Sequence, residues 1–134
     1  MKYGLLMSFV LLLGVAVNAQ EKKPEWATIK IPQLKCWECK ERLEKYLLKE
    51  KGPNDDAGIV KWQIYLASAT MRIQYIPTRI TLNYIKTAIA NAGFDTDEIT
   101  AEEDSYKKLP PLCKRATDGG GPQKGKPCHL PPLN

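Results

Sequence analysis

Two runs of alternating apolar residues, separated by only three small ones, constrain this chain more than any other feature. Val60, Trp62, Ile64 and Leu66 share one face of the first run, while Met71, Ile73 and Tyr75 share one face of the second. A period of two is the pattern of a half-buried strand, and a link as short as Ala67-Ser68-Ala69 forces antiparallel neighbours. Gly58 opens the pair and Pro77 closes it.

On either side of this hairpin the period changes to that of a helix. Cys39, Leu43, Tyr46 and Leu47 form one stripe of a helix that starts near Trp37, with Lys40, Glu41, Glu44, Lys45 and Lys49 on its other side and Gly52-Pro53 as its stop. Thr81 is an N-cap for a second helix over Leu82–Ala92, and Gly93 occupies the position where a left-handed C-terminal residue belongs. Tyr46 and Met71 both lie among apolar neighbours and are expected in the core. Before the first helix, Ala27, Ile29 and Ile31 alternate with Thr28 and Lys30 as a strand ended by Pro32; after the second, Phe94–Thr100 is expected to hold a last strand. The order βαββαβ predicts an α+β, ferredoxin-like split βαβ fold: a four-stranded antiparallel sheet with two helices on one face.

The ends of the chain are of different material. Residues 1–19 carry Lys2, an apolar stretch of thirteen residues from Leu5 to Val17, and small or modest residues up to Ala19. That is the pattern of a cleaved signal peptide, and the stretch is shorter than the roughly 20 residues of a spanning helix. It predicts a secreted or periplasmic protein with no membrane anchor after cleavage. The mature chain would carry a net charge of +4 with acids and bases interleaved, as in ECKERLEKYLLKEK, so no cationic face for nucleic acid is visible. Residues 20–25 read as a flexible lead and 26–101 as the domain. Six of the ten prolines and four of the nine glycines lie beyond Leu109, so residues 102–134 are expected to be an irregular tail.

Four cysteines remain to be placed. Cys36 and Cys39 form C-x-x-C where a loop enters a helix. Thiolates at that position feel the positive end of the helix dipole and the unsatisfied N–H groups of its first turn, which favours ionisation and ligation. Metal ligation, thiol–disulfide redox and an inert disulfide all fit such a pair. Cys113, Cys128 and the single histidine, His129, supply an accessory or second soft-metal site, or else a Cys113–Cys128 disulfide closing a Gly- and Pro-rich loop. Ordering a flexible tail around a metal costs about 1–2 kcal/mol per residue fixed, whereas closing a loop costs a slowly growing function of its length. The expectation is therefore Cys113–Cys128 oxidised, with Cys36 and Cys39 reducible.

The motif and its surroundings resemble the heavy-metal-associated domain family of copper chaperones, metal-transporting ATPases and periplasmic mercury-binding proteins. QLKCWEC is similar to the family's Gly-Met-Thr-Cys-x-x-Cys loop, with Gln33, Leu34 and Lys35 in place of Gly, Met and Thr. GIVKWQIYLASATMRIQYIP is similar to its central hairpin, and ITLNYIKTAIANAGFD to its second helix with the Ala-Gly-aromatic ending. The resemblance implies a soft ion, Cu(I) first and Hg(II) or Zn(II) as alternatives, held by Cys36 and Cys39. It also implies that Phe94 packs near the cysteine loop, and that a metal-transport or metal-acceptor protein receives the ion by ligand exchange. The implied protein is a monomeric carrier and not an enzyme, and with one histidine no Ser-His-Asp or Cys-His constellation on rigid elements contradicts this. A small thiol–disulfide protein and an interaction module using the open sheet face are the other readings.

Overall fold

The computed structural model describes residues 22–125 and 128. The proposed signal peptide and His129 lie outside the described residues. Strand β1 (Glu25–Lys30) leads into helix α1 (Trp37–Lys51), followed by the hairpin β2 (Ile59–Tyr65) and β3 (Thr70–Tyr75) and helix α2 (Leu82–Asn91). The sheet is antiparallel in the order β1-β3-β2, with Ile29 opposite Met71 and Trp62 opposite Ile73. A bulge between Ile59 and Lys61 inserts one residue, which turns Ile59 into the core beside Tyr75. Ile29, Met71 and Ile73 are fully buried with Leu43 and Leu47 of α1 and Ile85 and Ile89 of α2, so both helices cover one sheet face. On the other face the Trp26 ring lies between Lys61 and Arg72, whose charged groups are 5.5 and 4.8 Å from its centroid.

The sheet has three strands among the described residues, not four. Phe94–Thr100 forms a tight turn because its polar side chains satisfy the backbone groups that a ladder would need. Thr96 Oγ1 accepts from the N–H of Ile99 at 2.9 Å, Thr96 N–H donates to Ile99 O at 2.8 Å, and Asp95 Oδ1 accepts from Ala101 N–H at 2.8 Å. Such local bonds compete with strand pairing. Lys86 of α2, buried, fixes the same turn through Asp97 at 3.3 Å and Glu98 at 2.9 Å.

Residues 102–125 are structured, in contrast to the irregular tail expected over 102–134. Glu102 caps helix α3 (Glu103–Lys107) by accepting from the N–H groups of Asp104 and Ser105, and single turns of 3-10 helix follow at Pro111–Cys113 and Ala116–Asp118. Tyr106, Leu109 and Cys113 are buried in the main core. Close approach at Gly93 permits this: its φ is +98°, and a Cβ there would lie 2.9 Å from the Ser105 carbonyl oxygen. Met71 is in the core as expected, whereas Tyr46 is only half-buried on the surface of α1.

Candidate functional site

Cys36 is the N-cap of α1, in extended conformation, and its carbonyl accepts from the N–H groups of Cys39 and Lys40, both at 3.1 Å. Cys39 therefore sits one helical turn on, and both side chains are fully buried. Leu34, also fully buried, fills the apolar position under this loop. Gln33, standing where the similar family has glycine, does not need glycine's freedom, since Asp55 and Ala69 alone among the described non-glycine residues have a positive φ. Its side chain instead holds the loop to the following chain. Nε2 donates to Cys113 O at 2.9 Å and Gly93 O at 3.3 Å, while Oε1 accepts from Asp95 N–H.

The two sulfurs of the C-x-x-C motif are not bonded to each other. Cys36 is bonded to Cys128 and Cys39 to Cys113, with Cα separations of 5.1 and 5.4 Å. The expected Cys113–Cys128 bond is thus replaced by two bonds from the tail to the motif. That expectation assumed a flexible tail, whose ends could meet each other more readily than anything else. In the structure α3 and the turn at Pro111–Cys113 place Cys113 at the start of α1, beside Cys39 and not beside Cys128. Each sulfur of the motif is thus paired with one cysteine of the strap, and no described cysteine is a free thiol.

Charge holds this C-terminal strap down independently of sulfur. The Arg115 guanidinium binds both oxygens of Asp95, at 2.6 and 2.7 Å, and stacks 4.0 Å from the centroid of the Tyr106 ring. The Tyr106 hydroxyl accepts from Arg115 N–H at 3.0 Å and donates to Asp118. The guanidinium and, secondarily, the Ala101 N–H hold the Asp95 carboxyl below the usual carboxylate range despite its partial burial; Asp95 in turn raises Arg115. Lysines adjoin three of the cysteines in sequence, at Lys35, Lys40 and Lys114; Lys40 lies 4.3 Å over the Trp37 ring, which is half-buried within the motif. A surface cavity of about 350 Å³ beside the strap is lined by Gln33, Lys35, Lys114 and Arg115, but by no cysteine.

In this disulfide-bonded form no group of three or more His, Cys, Asp or Glu side chains is arranged to hold a metal ion among the described residues. Sequence reasoning named all four cysteines but missed Gln33, Asp95 and Arg115 as the residues that position them. The signal for Asp95 and Arg115 was weak, since nothing in their spacing joins them. Gln33 was visible only as a departure from glycine.

No family profile and no curated protein matches the chain. Solved structures are similar to it over somewhat more than half of its length. Oxidized MerP from Ralstonia metallidurans CH34 is 16% identical, covering 56% of this chain and 96% of its own, with a TM-score of 0.48. The putative copper-ion-binding protein from Bacillus anthracis str. Ames is 23% identical, covering 56% and 97%, with a TM-score of 0.47. A CopZ metallochaperone is 21% identical, covering 54% and 98%, with a TM-score of 0.45.

Proposed function

We propose that this is an exported soft-metal-binding protein whose Cys36–Cys39 pair captures a Cu(I)- or Hg(II)-class ion in the reduced state and passes it to a metal-acceptor protein by ligand exchange. The observation that carries this reading is that both sulfurs of the motif are bonded outward, to the strap, instead of to each other. Reduction then frees two thiols one helical turn apart at the positive end of α1, where thiolates are favoured. The oxidised form is a capped state in which neither sulfur can ligate. A cycling thiol–disulfide enzyme fits less well, because its motif needs an exposed attacking sulfur and here both are fully buried. Residues 1–19 support export, and the reading assigns the protein to the periplasm or the extracellular space.

The test is a metal competition titration of the mature protein, with thiols counted in each state. One Cu(I) ion per reduced molecule and none per oxidised molecule is expected. Replacing Cys36 and Cys39 together by serine should abolish tight binding, and an ion still tightly held in that variant would overturn the assignment. Affinity should fall with pH, since ligand thiols must lose their protons.

The burial of three of the four cysteines favours a second reading, in which the bonds are permanent staples of an interaction module. Under that reading the reduced protein unfolds and binds no ion.

A further inference from the structure

We propose that reduction converts the two disulfides into one four-sulfur metal site, in which Cys113 and Cys128 of the strap join Cys36 and Cys39 as ligands to a divalent d10 ion. This rests on the metal-binding reading above and changes its preferred ion: four thiolates suit tetrahedral Zn(II), Cd(II) or Hg(II) chemistry better than the low coordination of Cu(I) that two thiolates would give.

Cys36 and Cys39 lie one turn apart at the start of α1, and each has one strap cysteine against it, which is the placement the proposal starts from. In a tetrahedral thiolate site with bonds of about 2.3 Å the sulfurs lie about 3.8 Å apart. Each bonded pair must therefore open by about 2 Å, which side-chain rotation supplies when the Cα atoms are 5.1 and 5.4 Å apart. The strap does not depend on its sulfurs for its place. Gln33 holds the Cys113 carbonyl, Asp95 holds Arg115 in a bidentate pair, and Tyr106 and Leu109 are buried in the core. Cys113 thus remains beside Cys39 after the bond between them is cut. Cys128 is the partly exposed sulfur of the four, 3.5 Å from Lys35 O, and its bond to Cys36 is the one a reductant reaches first.

Electrostatics favours the loaded state too. A divalent ion with four thiolates carries a net charge of −2, and Lys35, Lys40 and Lys114 adjoin three of the ligands at the positive end of α1. Each disulfide takes two electrons and two protons from a dithiol, which leaves as its own disulfide, and the metal then displaces the four thiol protons.

The experiment reduces the full mature protein with dithiothreitol, removes the reductant anaerobically and adds Cd(II). Thiols shielded from alkylation are then located by mass spectrometry. Four shielded thiols per bound ion are expected. Shielding of Cys36 and Cys39 alone, or of those two with one strap cysteine, overturns the four-sulfur site while leaving the motif's own role standing; no shielding at all overturns the four-sulfur site, and the Cu(I) titration above then decides the motif's role separately. As a second measurement, Cys113→Ser together with Cys128→Ser should weaken Cd(II) binding by more than about 100-fold, beyond the 10- to 100-fold typical of losing an outer-shell partner. The sulfur-to-metal charge-transfer absorption should fall by about half, in proportion to the ligands lost. Unchanged affinity and absorption would overturn the proposal. Because the shielding measurement uses the unaltered chain, a variant that fails to fold does not decide the result.

Discussion

The side-chain amide of Gln33 donates to the carbonyl of Cys113 at 2.9 Å, across 80 residues of sequence. This bond joins the loop before the C-x-x-C motif to the strap that covers it, and it does so without involving either sulfur. Gln33 is buried and uses both ends of its amide, so it acts as a spacer between β1, the end of α2 and the strap.

Gln33→Leu keeps the volume but leaves two buried carbonyls and one partly buried N–H without this partner. An unsatisfied buried polar group costs about 1–3 kcal/mol, and partial relaxation should bring the total loss to about 2–4 kcal/mol in denaturant unfolding of the oxidised protein. Gln33→Glu should also destabilise, since an ionised carboxylate cannot donate to either carbonyl. A loss below about 0.5 kcal/mol in both variants would remove Gln33 from this role.

Asp95 predicts an acid limb. Its carboxyl is held below the usual range by Arg115, so the folded state binds its proton less readily than the unfolded chain. The resulting stability is fully present above the unfolded value of about 3.9 and is lost as pH falls through the depressed folded value. Thermal unfolding followed from pH 7 to pH 2 should decline in that acid window. Asp95→Asn should flatten this part of the decline and cost about 2 kcal/mol at neutral pH through the lost charged bonds.

Gly93 and Gly119 separate backbone strain from close packing. Both have positive φ, but a Cβ at Gly93 meets the Ser105 carbonyl oxygen at 2.9 Å, whereas at Gly119 nothing lies within 4 Å. Gly119→Ala should cost about 1 kcal/mol, the backbone penalty alone. The loss at Gly93→Ala should be clearly larger and should displace α3. Equal losses in chemical denaturation would show that α3 does not press on Gly93.

Reduction should be staged. Cys39 and Cys113 are both fully buried, while Cys128 is partly exposed, so limiting reductant should first give a species with free thiols at Cys36 and Cys128. Trapping with an alkylating agent and peptide mapping will identify it. Removing the inner bond by Cys39→Ala with Cys113→Ala should cost about 2–5 kcal/mol, the usual range for a native disulfide. Simultaneous reduction of both bonds would contradict this order.

The elements that periodicity governs were legible in the sequence: β1, α1, the hairpin and α2 fall where apolar spacing puts them, and Thr81 caps α2 by accepting from Tyr84 N–H at 3.1 Å. The fourth strand failed because Asp95 and Thr96 bond their own neighbours, a local preference that apolar counting does not weigh. Helix α3 is too short to display a period, although Glu102, Glu103 and Asp104 before Lys107 and Lys108 carry the charge order of a helix. At the site, the cysteines themselves were readable but their pairing was not. Four cysteines allow three pairings, and the choice depended on where α3 placed Cys113.

The separations of 92 and 74 residues across the two disulfides impose an order on synthesis. The chain is made from its N-terminus, so Cys36 and Cys39 exist together well before either native partner, and at that stage their one available intramolecular bond is the non-native one between themselves. Cys113 arrives next and Cys128 fifteen residues later. A nascent chain that ends between those two positions can complete the inner bond but leaves Cys36 as an odd thiol, so the sulfur cluster closes only once Cys128 itself has been added.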